Sequence, residues 1–143
     1  MSVIENIMNI PAEHEKNVFG SFDGNIKKIE RTLHVTVIAR DSQVKIIGSD
    51  VAAKRARSVF EQLIELSKRG NTITEQNVDY ALSLSYDNKE SAIVDLDDNI
   101  ICRTVMGKPV KPKTLGQKKY VDQIRERMIV FGIGPAGTGK TYL

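Results

Sequence analysis

The sequence predicts an α+β domain with the order strand, helix, helix, strand, strand, helix within residues 1–85, followed from residue 100 by the first strand and phosphate-binding loop of an α/β domain. Three observations carry this. Apolar residues through positions 2–69 recur with a period that switches between two and about 3.6 residues. A G-x-x-x-x-G-K-T run at residues 134–141 directly follows a short apolar stretch. A polar, acidic segment at residues 86–99 separates two stretches of different composition.

Residues 2–10 (SVIENIMNI) read as a strand, Pro11 ends it, and the polar residues 12–17 begin a short helical turn. Val18 and Phe19 lead into Gly20-Ser21-Phe22-Asp23-Gly24, a glycine-bearing corner. Ile26, Ile29 and Leu33 then recur at helical spacing, with Lys27, Lys28, Glu30 and Arg31 facing away. Val35, Val37 and Ala39 alternate with Thr36, Ile38 and Arg40 as a strand, and Asp41-Ser42 turns the chain into a hairpin partner at residues 43–48. Asp50 stands where it would cap a long helix with a buried stripe of Ala52, Ala56, Val59, Phe60, Leu63 and Leu66, ended by Gly70. Another helix starts at Thr74 and runs through Val78, Ala81, Leu82 and Leu84. Residues 86–99 read as an acidic surface linker and residues 100–105 as a short strand. A Gly/Pro/Lys segment at 107–113 precedes a helix from Thr114, and residues 128–133 read as a buried parallel strand.

With 143 residues the chain has room for a small domain and the beginning of a second, so it is expected to be the front portion of a longer protein, cut after the loop. A composition of 41% hydrophobic and 27% charged residues is that of a folded globular chain and excludes wholesale disorder. The N-terminus lacks a basic start and an apolar run, and no stretch reaches the ~18 apolar residues of a membrane span, so a cytoplasmic protein without membrane contact is expected. Cys102 is the single cysteine, which excludes an internal disulfide; with His14 and His34 it offers no metal-ligand spacing, and it reads as a small residue in a strand. Charge is divided unevenly. Residues 1–101 carry 12 basic and 16 acidic side chains, whereas residues 102–143 carry 9 and 2, so net charges of −4 and +7 adjoin and the second part would attract a polyanion. Lys108, Lys111 and Lys113 serve equally well as solvation of a linker.

The run Gly134, Pro135, Ala136, Gly137, Thr138, Gly139, Lys140, Thr141 matches a nucleotide phosphate loop at every defined position. Its glycines allow successive backbone N–H groups to turn inward as an anion nest, and a helix beginning near Gly139 would add its positive dipole end. Lys140 would reach the β- and γ-phosphates as a point charge, and the Thr141 hydroxyl would ligate Mg²⁺ on the nucleotide. Phosphoryl transfer further requires a metal-binding carboxylate, a group that positions water and an arginine, which normally lie C-terminal to such a loop. Only Tyr142 and Leu143 follow Thr141, so no catalytic residue is assigned and residues 1–143 alone are expected not to hydrolyse nucleotide.

Residues 107–122 (GKPVKPKTLGQKKYVD) and 131–143 (FGIGPAGTGKTYL) closely resemble the bacterial PhoH-like family of P-loop ATPases. The specific resemblance covers about the last 37 residues, and residues 1–85 look like that family's N-terminal module, related to the KH RNA-binding fold. It implies a KH-like α+β domain of βααββα order at 1–85, a linker at 86–99, and the start of an α/β P-loop NTPase domain at 100–143, truncated after the loop. It also implies ATP and Mg²⁺ as ligands, RNA as partner, an ATPase in the full-length form with room for an oligomer, and links to RNA metabolism and phosphate starvation. In the related superfamily 1 helicase core a glutamine ahead of the P-loop reads the adenine edge, so Gln117 is the candidate adenine contact; Thr114-x-x-Gln117 is equally a helix capping box. KH domains clamp nucleic-acid backbone with a G-x-x-G loop between two helices. By resemblance Gly20, Ser21, Lys27 and Lys28 are nucleic-acid candidates. Here Asp23 replaces the second glycine, where its carboxylate opposes a phosphate and reads as an N-cap, and Phe22 reads as a packing residue in preference to a base-stacking platform. Two alternatives stand beside the ATPase: a non-catalytic RNA-binding module, and a fragment that makes protein contacts only.

Overall fold

Alternating burial defines the first strand of the computed structural model, which describes residues 2–87 and 92–143. In β1 (Val3–Asn9) Met8 is buried while Val3, Glu5, Ile7 and Asn9 face water, so one side of the strand meets a core. Pro11 leads into α1 (Ala12–Phe19), a helix of 8 residues where the sequence suggests only a turn. The reason is tertiary. Val18 is fully buried, and Asn17 Nδ2 donates to Ser67 Oγ and to the Asn71 carbonyl, both at 2.8 Å. Asn17 Oδ1 in turn accepts the Ile73 N–H at 2.9 Å, so a side chain of the expected short turn is fixed by partners some fifty positions away.

After the corner come α2 (Gly24–Leu33), β2 (Thr36–Arg40), β3 (Gln43–Ser49) and α3 (Asp50–Lys68), giving the expected order of elements. Ile26, Ile29 and Leu33 are the buried face of α2. The three strands form an antiparallel sheet in the order β1-β3-β2, with Ile46 of the central strand opposite Asn6 and Val37. Asp41 and Ser42 both take positive φ (49° and 61°), the two-residue turn whose twist suits a hairpin.

The N-cap of α3 is Ser49, whose side chain accepts the Ala52 N–H at 3.3 Å, and not Asp50. Asp50 is the first helical residue and pairs with Lys54 at 2.8 Å. The buried stripe includes Ala53 in place of Ala52, together with Ala56, Val59, Phe60, Leu63 and Leu66. Gly70 (φ +82°) closes the helix: its N–H reaches the Ser67 carbonyl and the Asn71 N–H the Leu66 carbonyl, a paired closure that needs a left-handed residue.

Thr74 and Asn77 cap each other ahead of α4 (Glu75–Asp87), which buries Val78, Ala81, Leu82 and Leu84. Two ends of the predicted linker are therefore structured. Tyr86 lies within α4, donates its hydroxyl proton to the Thr32 carbonyl at 3.3 Å and carries the Arg55 guanidinium 4.7 Å above its ring. Residues 92–97 form α5 (Ala92–Asp97), with Leu96 buried; residues 88–91 of the linker lie outside the described residues.

The chain divides into two compact units, residues 1–91 and 92–143. In the second, β4 (Cys102–Arg103) pairs with β5 (Pro109–Val110), and α6 (Leu115–Glu126) is capped by Thr114. Cys102 is in a strand but exposed. Among the described residues of this unit Leu96, Pro112 and Val121 are buried, and Lys111 pairs with Asp97 at 2.6 Å. Among the described residues, no helix is long and apolar enough to cross a membrane.

Lys28 ties α2 to α4 by ion pairs to Asp79 (2.6 Å) and Glu75 (2.7 Å). Hydrogen bonding to Asp79, then to Glu75, holds its ammonium above the ordinary pKa of 10.5. A raised pKa means that this stabilisation is complete below pH 10.5 and fades as pH climbs through the folded value. Thermal melts should show Lys28→Met less stable than the parent by up to about 1 kcal/mol at neutral pH, the two converging in strong alkali. A gap that persists undiminished there would show that the charge is not what ties the helices.

Candidate functional site

Two places gather the candidate residues. The first is the glycine-rich run after α6. Lys140, half-buried, folds back over its own loop, where its ammonium donates to the Gly134 carbonyl (2.9 Å), the Pro135 carbonyl (2.7 Å) and Thr138 Oγ1 (3.3 Å). The Thr138 hydroxyl itself donates to the Pro135 carbonyl at 3.0 Å, so one cation closes a ring of oxygens across residues 134–140. Gly137 and Gly139 take φ of +78° and +84°, the left-handed turns with which a backbone rotates neighbouring N–H groups toward one side. Ala136 and Thr141 are exposed. One helical hydrogen bond, from the Leu143 N–H to the Gly139 carbonyl at 3.0 Å, stands where the helix was expected to begin.

The preceding apolar run corrects a second expectation. Residues 128–133 form no strand, and Met128, Ile129, Phe131 and Ile133 are exposed. A buried parallel strand needs a ladder on its flanks, and the paired strands of this unit are only β4 and β5 among the described residues. The segment instead runs past α6 at Gly132, where a Cβ would sit 3.0 Å from the Tyr120 ring.

Gln117 links α6 to the loop. Its backbone N–H donates to Thr114 Oγ1 (3.1 Å), its Oε1 accepts the Lys113 N–H (2.7 Å), and its Nε2 donates to the Thr138 carbonyl (3.2 Å). The capping alternative is thus realised, in a variant that serves the residue before the cap, and the side-chain amide also bonds to the glycine-rich loop. The sequence holds no signal for that last contact, because Gln117 and Thr138 are distant in the chain and meet only through the fold.

The second place is the corner between α1 and α2. Gly20 (φ +75°), Phe22 (φ +52°) and Asp23 (φ +55°) are all left-handed, and the latter two pay roughly 1 kcal/mol or more each for it. Asp23 makes no capping hydrogen bond: an N-cap carboxylate reaches the helix amides from extended backbone, and Asp23 is not extended. Phe22 is 93% exposed, so it is not a packing residue. Ser21 is exposed, Lys27 donates to the Phe22 carbonyl at 3.1 Å, and Asn25 Nδ2 fixes the Val18 carbonyl at 3.0 Å. Lys28 is turned away to Glu75 and Asp79. The sequence favours Phe22 as a packing residue over a base-stacking platform, because the positive φ that turns the ring outward is not legible in it.

Residues 109–143 match the family described as PhoH-like protein. Curated relatives with that name include one from Bacillus subtilis, 34% identical over 127 residues that make up 89% of this chain and 40% of the relative. One from Mycobacterium tuberculosis is 36% identical over 98% of this chain and 40% of its own length, and one from Synechocystis is 27% identical over 87% and 38%. The chain therefore spans about two fifths of the length of the relatives it matches. No solved structure matches it.

Gln117→Glu keeps the acceptor for Lys113 and removes the donor to Thr138, whereas Gln117→Ala removes both. Amide exchange at Lys113 should be unchanged in the first and about fivefold faster in the second, matching the loss of one hydrogen bond of ~1 kcal/mol. Equal acceleration in both variants would show that the side chain does not divide its two ends in this way.

Proposed function

We propose, from the premise that this chain belongs to the PhoH-like family, that its residues 134–141 bind the phosphates of ATP and that the whole protein is an RNA-associated P-loop ATPase. The observation that carries the nucleotide reading is the folded-back ammonium of Lys140, bonded to loop carbonyls beside two glycines of positive φ. The donor set suits the ligand. A triphosphate is a multiple anion, and the loop pairs a mobile cation with backbone N–H groups that glycine allows to converge. Thr141 supplies the hydroxyl that would share Mg²⁺ with the nucleotide, which in turn shields the phosphate charge. Gln117 lies close enough to the loop to meet the base of the same nucleotide, its amide offering one donor and one acceptor to adenine.

The RNA part of the reading rests on the first unit, whose strand, helix, helix, strand, strand, helix order and glycine corner between paired helices suit a KH-like module. Gly20 and Ser21 would approach the nucleic-acid backbone, with Lys27 supplying charge. Lys28, held by two carboxylates, contributes less. A binding module without turnover remains the second reading, favoured by the loop's exposure. Hydrolysis calls for groups that residues 1–143 do not assemble, so this stretch alone is expected to bind without turnover.

Binding of magnesium ATP, followed with a fluorescent analogue, should weaken about tenfold or more in Lys140→Ala, the loss of one charge-assisted contact. In Gln117→Ala the preference for ATP over GTP should fall. Unchanged affinity in the lysine variant would refute the phosphate site. Phosphate release by residues 1–143 that disappears in the same variant would refute the expectation of no turnover.

A further inference from the structure

We infer that Phe22 is a stacking platform for an unpaired nucleobase of single-stranded RNA, placed at the head of a basic stripe on α2. This rests on the RNA reading above and goes further, because a glycine corner of the KH type explains backbone contact but assigns no role to an aromatic ring.

The ring is in a place that core packing does not explain. Phe22 is 93% exposed, although burying an aromatic side chain is among the larger apolar gains available to a fold. Its backbone sits at φ +52°, ψ +35°, a region that bulky residues rarely adopt, and Asp23 beside it is left-handed too. The surroundings hold this shape from several sides. The Gly20 N–H bonds to the Lys16 carbonyl, the Gly24 N–H to the Ser21 carbonyl, Asn25 Nδ2 to the Val18 carbonyl, and Lys27 Nζ to the carbonyl of Phe22 itself. A strained, over-determined loop that projects an aromatic ring into water is an observation that calls for a ligand with an apolar face.

Charge decides which ligand. Lys27 and Arg31 are exposed and one turn apart on α2, and Lys16 is exposed on α1. Asp23 is the opposing charge at the corner itself. An anionic chain that bears flat apolar groups meets both features at once: phosphates along Lys27 and Arg31, and a base upon the ring of Phe22. Single-stranded RNA has that chemistry, whereas in a duplex the base faces are already stacked. Stacking is tolerant of base identity, so the contact adds affinity with little sequence preference.

The protein contains no tryptophan, so Phe22→Trp introduces a unique fluorophore at the site. With the whole chain, binding of a labelled 12-nucleotide single-stranded RNA is followed by anisotropy and tryptophan emission is read in parallel. Phe22→Ala should weaken this RNA about tenfold and leave an abasic ribose-phosphate strand of the same length unaffected. Phe22→Trp should retain affinity and be quenched by the single strand but not by duplex RNA. Salt-sensitive binding that Lys27→Ala weakens, with Phe22→Ala indistinguishable from the parent and no quenching, would overturn the platform while leaving the RNA reading intact. If the unaltered chain binds no RNA, both fall.

Discussion

The ammonium of Lys140, drawn among three oxygens of its own loop, is the contact on which the shape of the glycine-rich loop depends. In an exposed segment, ordinary hydrogen bonds compete with water at little net gain, so a glycine-rich run of this kind would sample many shapes. A charge-assisted cluster spanning residues 134 to 140 selects among them, and the glycines at 137 and 139 absorb the left-handed turns it requires. Gln117 adds a second anchor from α6, bonded to the Thr138 carbonyl. The loop is thus held by one cation and one amide, both of which are suited to recognising the nucleotide that the loop would cradle.

Under the proposed reading an anion would compete with the loop's own carbonyls for the lysine. A phosphate offers the lysine stronger acceptors than the carbonyls of Gly134 and Pro135, so entry of the ligand exchanges neutral acceptors for charged ones. The surrounding charge points the same way, since the residues from 102 onward carry a net +7 while those before carry −4. The acidic first part is not uniformly so at its surface: the stripe of Lys27 and Arg31 is basic, and Lys28 spends its charge internally on Glu75 and Asp79.

Much of the first unit was legible in the sequence because its elements obey local periodicity. Ile26, Ile29 and Leu33, the Asp41-Ser42 turn and the stripe from Ala56 to Leu66 are each specified within one element. What local pattern could not supply was anything decided by distant partners. Asn17 looked like part of a short helical turn and is a bridge to Ser67, Asn71 and Ile73; Tyr86 looked like linker and is packed under Arg55. Caps were ambiguous by one residue, since Ser49 and Asp50 are both competent and backbone angle alone selects Ser49. In the candidate sites the motif letters were legible and the geometry was not. Residues 128–133 have the composition of a buried strand, but a strand is a property of its neighbours as well as of its residues, and here no ladder flanks it among the described residues. Phe22 likewise has the composition of core and the backbone of an exposed corner.

Backbone amides are the part of the loop that a side-chain substitution cannot probe, and their resonances report on it without altering the protein. On addition of magnesium ATP to ¹⁵N-labelled protein, the amide protons of Gly137, Thr138, Gly139 and Lys140 should move downfield together as they take up phosphate oxygens, with the Gln117 side-chain amide shifting alongside them. If those amides stay in place at saturating nucleotide, the loop does not cradle phosphate and the family's motif is present here without its chemistry.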